Sequence, residues 1–171
     1  MFALISQNNE ITQIGDLQAL FPNEPNPSVL YATQRGAKEI VDGVREDERF
    51  YWVTFDRYEV QTDNVVRHYV NTPKALEDVT ETPEGGEPTT TKGLKSQYIA
   101  QFKQTANTML QPTDWTVIRK AERGVDIPAD VAAKRAAILA ECDRLTAAVT
   151  AAQDTASFVA AVQSANWNGN E

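Results

Sequence analysis

Val131, Arg135, Ile138, Cys142, Leu145, Val149 and Ala152 recur in steps of four and three. That spacing puts all seven on one stripe of an α-helix, and a strict heptad is the pattern of a helix whose seam packs against another helix. Ala132, Ala136, Ala140 and Ala147 flank the seam, and small side chains let the neighbouring backbone come close. The seam holds about three heptads, near the lower limit for a free-standing coiled coil. Two coverings therefore stay open: another helix of the same chain, or another chain. A helix of the same chain is at hand, because Leu94, Tyr98, Phe102, Thr105 and Met109 recur at helical spacing over Leu94–Leu110.

The two patterns meet at a punctuated joint. Pro112 has no N–H and cannot continue the preceding helix. Thr113 or Asp114 can accept a hydrogen bond from the first free N–H groups of a new turn. Gly124 can close that turn in the left-handed region. Pro128 suits the first turn of the next helix, with Asp130 against its positive end. Trp115 is the large apolar group of this corner, and core packing between the flanking helices is the commoner use of such a residue.

The residues of the joint carry a resemblance. Met-Leu-Gln-Pro-Thr-Asp-Trp-Thr (109–116), a short charged segment, then Ile-Pro-Ala-Asp-Val-Ala-Ala-Lys-Arg-Ala-Ala-Ile-Leu (127–139) resemble the C-terminal module of phage tail-assembly and tail-fibre-assembly chaperone-like proteins. In that family a leucine, two residues and Thr-Asp-Trp precede a helix with an Arg-x-x-Leu-like pattern. Leu110 and Thr113-Asp114-Trp115 match. The chain departs from the pattern with Ala136, Ala137 and Ile138 after Arg135, and with a longer alanine-rich helix. The opening Met-Phe-Ala-Leu-Ile-Ser and Leu-Phe-Pro-Asn also resemble the N-terminal hairpin of small phage tail proteins. The resemblance implies a phage tail setting, with Asp114 and Trp115 as partner-binding residues.

Upstream, period-two patterns replace helical ones. Phe2–Ser6 and Glu10–Ile14 flank Gln7-Asn8-Asn9, a hairpin signal because asparagine tolerates positive φ. Asp16 can cap a turn over Leu17 and Leu20, and Pro22, Pro25 and Pro27 keep the next stretch extended. Lys38–Val41 reads as either a strand or a turn of helix, and Arg45–Arg49 as a solvated turn. Phe50–Val60 is the strongest strand; Tyr51, Val53 and Phe55 on one face and Phe50, Trp52 and Thr54 on the other suggest a central place covered on both sides. Val65–Val70 returns beside it. From Thr72 to Lys92, prolines, glycines and threonines dilute the apolar residues, which predicts a linker with one helical turn near Ala75–Val79.

The predicted fold class is therefore α+β. A small antiparallel β module (1–71) and a Pro/Gly/Thr-rich linker (72–92) precede a helical hairpin or coiled-coil-like module (93–171). With a net charge of −8 and a pI near 4.7, phosphate-backbone binding is unfavourable, since it depends on lysine and arginine displacing counterions. No apolar run reaches the ~20 residues of a membrane span, and no secretory leader is evident. Host cytoplasm during assembly, then the virion tail, is the expected location. With one histidine and one cysteine, neither a disulfide nor a usual zinc site is expected, and no cofactor.

Catalytic readings are weak. His68 near Asp56 or Asp63 lacks a nucleophile elbow, and Ser6, Ser28 and Ser96 have no supporting context. Glu39, Asp42, Glu46, Asp47 and Glu48 sit in a hydrophilic run, whereas glycan cleavage needs one acid with a raised pKa in an apolar cleft. The aromatic strand offers core packing before it offers a sugar platform. The expected protein is non-catalytic: a structural adaptor in the baseplate or tail-fibre attachment region, binding other tail proteins through Asp114, Trp115, Arg135, Ile138, Leu145 and Val149. Arg135 would pair with Glu141 or Asp143 of another helix, or lie at the rim of the seam. The alternatives are an assembly chaperone absent from the virion and a glycan-binding or glycan-cleaving tail protein; a homo-oligomer stays open.

Overall fold

In a computed structural model of the protein, which describes residues 1–167, the chain divides into two units, Met1–Thr72 and Pro73–Glu171. The polar residues after Trp167 (168–171) lie outside the described residues.

The first unit begins with the expected hairpin. Strands β1 (Phe2–Ile5) and β2 (Ile11–Gly15) pair antiparallel, with Ala3 opposite Ile14. Asn9 supplies the turn at φ 63°, and the Ser6 N–H donates to Glu10 O at 2.8 Å. Asp16 caps helix α1 (Leu17–Leu20), its carboxylate accepting from the Ala19 N–H at 2.8 Å. Ser28 does the same for α2 (Val29–Thr33) through the Tyr31 N–H at 3.1 Å. The ambiguous Lys38–Val41 stretch is a strand, β3 (Ala37–Asp42), and it occupies the middle of the sheet.

Strands β4 (Tyr51–Val60) and β5 (Asn64–Pro73) complete the order β2-β1-β3-β5-β4. β3 is antiparallel to β1 but parallel to β5, with Ile40 opposite Val65. Only Gln61–Asp63 join β4 to β5, too short for a parallel crossover, so this pair is a hairpin. The expected central place of the aromatic strand is corrected, because β4 is the edge. Trp52 is 62% exposed and Phe55 53%. Only Phe50, just ahead of the strand, is fully buried, along with Ala3, Ala32 and Val65. The expected faces change as well. Tyr51 and Val53 are half-buried, but further along Tyr58 and Val60 take that role, so the half-buried face changes parity along the strand.

The end of β3 is tied to β5 by a polar cluster. Asp42 accepts from Arg67 Nε at 2.6 Å and from the Tyr69 hydroxyl at 2.8 Å. These bonds, that from Arg67 first, lower its pKa from 3.8 to about 2. A carboxylate with a depressed folded pKa contributes stability that is present above the unfolded value and lost as pH falls through the folded one. The unfolding free energy of the first unit should therefore drop between about pH 4 and about pH 2, and Asp42→Asn should remove part of that drop. Urea unfolding of both proteins across this range checks it; equal slopes would refute the role of Asp42.

The second unit starts where a linker was expected. Residues 73–92 hold a two-stranded hairpin, β6 (Val79–Glu81) and β7 (Thr89–Thr91), with Thr80 opposite Thr90. Ala75–Val79 contains bends rather than a helical turn. This segment closes the N-terminus of α3 (Leu94–Leu110). The Leu94 and Lys95 N–H groups donate to Ala75 O and Leu76 O at 2.9 and 3.0 Å, and the Gly93 N–H donates to Asp78 Oδ1 at 2.8 Å. The first N–H groups of a helix lack partners within it, and here the Ala75 and Leu76 carbonyls and the Asp78 carboxylate supply them. A Cβ on Gly93 would lie 2.3 Å from Glu77 O, so only glycine fits.

A 3₁₀ turn (Gln111–Thr113) leads from α3 into α4 (Asp114–Arg123), followed by α5 (Ala129–Ala151) and α6 (Thr155–Gln163). α5 packs against α3 and α6. Lys95 Nζ donates to Thr150 O at one end of α3, and Arg135 donates to Leu110 O at the other. The seam lies on the covered side of α5. Cys142, Leu145, Val149 and Ala152 are buried, and Val131, Arg135 and Ile138 are half-buried. Phe102 and Phe158 complete this core, and the Phe158 ring meets Tyr98 edge-on at 5.4 Å. Asp154 caps α6 through the Ser157 N–H at 2.7 Å.

Candidate docking site

The joint is built differently from its expected form. Neither Thr113 nor Asp114 caps α4 with its side chain. The chain passes through the 3₁₀ turn almost without leaving helical geometry, so backbone carbonyls meet the N–H groups: the Asp114 N–H bonds to Gln111 O. Thr113 donates its hydroxyl back to Leu110 O at 2.9 Å, and Thr116 donates to Thr113 O at 2.6 Å. Gly124 closes α4 at φ 66°, its N–H on Lys120 O at 3.0 Å. Pro128 is the cap residue of α5 and precedes its first turn, which Asp130 occupies.

Trp115 is the main correction. The indole is 58% exposed and is not a core residue. Thr116 takes the inward position of this turn and is almost fully buried. Neighbouring residues on a helix point about 100° apart, so burying Thr116 turns Trp115 outward. Ile118, three residues on, is 56% exposed, so the two form one apolar patch. Ile118 was not singled out in the sequence; its spacing from Trp115 was the available signal.

Arg135 holds the joint. Its guanidinium donates to Leu110 O at 2.9 Å and to Thr113 Oγ1 at 2.7 Å, and it pairs with Asp114 Oδ1 at 2.9 Å. Its side chain is 17% exposed. The expected pairing with Glu141 or Asp143 is thus replaced. Glu141 instead takes Arg144 at 2.7 Å and the Asn166 N–H at 2.7 Å, and these bonds, Arg144 first, lower its pKa.

The six expected docking residues therefore separate. Asp114 and Arg135 pair at the start of α4, and Trp115 is on the patch. Ile138 is half-buried on α5. Leu145 and Val149 are fully buried, a correction: the seam that made them candidates is covered by the chain's own helices, so they present nothing to a partner.

The expected catalytic groups do not assemble. His68 Nε2 lies 2.9 Å from Glu59 Oε2, though it is not aligned for a hydrogen bond. Ser6 and Ser28 are spent on the Glu10 and Tyr31 N–H groups. Asp47 pairs with Arg49 at 2.6 Å, and Glu48 with Arg45. An open polar hollow of about 660 Å³ beside the β4–β5 turn includes Lys38, Glu59, Asp63 and Asn64, far from any apolar enclosure. Among the described residues, no group of three or more histidine, cysteine or acidic residues is placed to hold a metal ion, and no helix is long and apolar enough to cross a membrane.

Compared with protein families, curated proteins and solved structures, the chain matches none. Fold and surface define an α+β protein of two units with an exposed tryptophan helix.

Proposed function

We propose that this is a non-catalytic phage tail protein, a structural adaptor of the baseplate or fibre-attachment region that binds other tail proteins through α4. The exposed pair Trp115 and Ile118, on a helix whose first residue is tied to α5 through Arg135, carries this reading. Tryptophan is strongly enriched among residues that dominate binding energy, and a rigid backing limits the ordering cost. The tail setting rests on the resemblance of Leu110 and Thr113-Asp114-Trp115. Of the candidate acids, Asp42 is held down by its bonds from Arg67 and Tyr69, the opposite of what a glycan-cleaving acid needs. The assembly-chaperone reading is favoured by the same Thr-Asp-Trp motif.

Trp115→Ala should leave the melting temperature nearly unchanged, within about 1 kcal/mol of stability. It should weaken binding to the fibre or baseplate proteins of the same phage by about 2 kcal/mol or more. Calorimetry against each purified tail protein reads both effects; full binding by the variant sinks the α4 reading. Quantitative mass spectrometry of purified virions separates the roles: a fixed copy number supports the adaptor, and absence from virions with abundance in lysate supports the chaperone.

A further inference from the structure

The inward side of α3 does not stop where α3 stops. Leu94, Tyr98, Phe102, Ala106, Met109, Thr113 and Thr116 follow one another in steps of four and three, straight through the 3₁₀ turn. Leu94, Phe102, Ala106 and Thr116 are buried, and Tyr98, Met109 and Thr113 are half-buried. Both flanks of the break are helical, Gln111 at φ −49°, ψ −43° and Asp114 at φ −62°, ψ −32°; Thr113, at φ −113°, ψ 2°, is the residue that departs. Two features oppose a continuous helix. Pro112 lacks the N–H that would bond to the preceding turn. Arg135 bonds Leu110 O, the acceptor that an unbroken helix would give to the Asp114 N–H, and it also ties the Thr113 hydroxyl and the Asp114 carboxylate to α5.

We infer that Arg135 is a latch. It holds α3 and α4 broken at Gln111–Thr113 against a competing state in which they run on as one helix from Leu94 to Arg123. The connection allows both states. In the continuous form α4 projects thirteen residues beyond Leu110, ~20 Å at 1.5 Å per residue. Residues 124–128 can span roughly 20 Å to return to α5. The latch sets where α4 carries Trp115, and so regulates the docking surface proposed above, but the helix break is independent of any partner.

The test is a spin-label distance between Gln97→Cys and Glu122→Cys in a Cys142→Ala background. A continuous helix separates these positions by about 38 Å along its axis; the departure at Thr113 bends the path, and any bend shortens the separation. The otherwise unaltered protein should give the shorter distance alone. Arg135→Met, which keeps the apolar stem, should add a population near 38 Å, and Pro112→Ala with Arg135→Met should make it dominant. Asp114→Asn, a milder change, should shift the populations the same way, and amide exchange of α6 should stay unchanged in every variant that retains the fold. A single short distance in both the Asp114→Asn and the Arg135→Met proteins overturns the latch, whatever Trp115→Ala does to binding.

Discussion

Leu145→Asp is expected to unfold the helical unit. Leu145 has no solvent exposure and sits mid-way along α5, on the side that meets α3 and α6. The substitution removes an isobutyl group from the core and places a carboxylate where no donor was provided for it. A buried unpaired charge joined to a lost apolar side chain costs on the order of 5 kcal/mol, comparable to the whole stability of many domains. Hydrogen exchange should show α3, α5 and α6 losing protection, and the first unit supplies the internal reference. Leu139→Asp is the control: it lies on the same helix but is half exposed, and should cost no more than ~0.5 kcal/mol. If Leu145→Asp melts like the unaltered protein, α5 is not packed as described.

Phe158→Ala should have the next largest effect. The ring is fully buried where α6 closes over α3 and α5, edge-on to Tyr98 at 5.4 Å and 88°. Truncation of a buried phenylalanine costs ~3–5 kcal/mol, part in transfer free energy and part in the cavity left behind. The aromatic edge contact adds ~0.5–1.5 kcal/mol of its own. Phe158→Leu refills most of the volume and should recover more than half of the loss. Urea unfolding of the three proteins measures this; a loss below about 1 kcal/mol for the alanine variant would mean that α6 is only loosely attached.

These two effects were accessible from sequence to different degrees. The heptad through Leu145 identified the buried side of α5, because a covered stripe on a helix must repeat at three and four. It did not say what covers it, since an intramolecular and an intermolecular seam leave the same periodicity. The first hairpin, the Asp16 cap, the bounds of α3 and the left-handed Gly124 were equally legible, each being decided within a few residues. The place of β4 was not. Aromatic and β-branched residues favour a strand of any kind, and whether it lies at the centre or the edge depends on which strand pairs with which. Trp115 misled for a related reason: its size argues for burial, but the helical phase set by Thr116 turned it outward.

Arg135 and the segment 73–92 belong to the same class. A charged residue at a seam position looks awkward in a heptad, and its partners are neither acid expected for it but a carbonyl, a hydroxyl and Asp114, all at the joint. Residues 73–92 bury little apolar surface, yet carbonyls within them close the start of α3. What the sequence determined by itself was much of the local grammar: where the first hairpin and the long helices begin and stop, and which side of α5 is apolar. What only the tertiary structure decided was the pairing: which strand is the edge, what covers the seam, and which aromatic is left in water. Periodicity and capping are properties of neighbouring residues, whereas pairing depends on groups brought together across the chain by packing, which leaves no fixed spacing in the sequence.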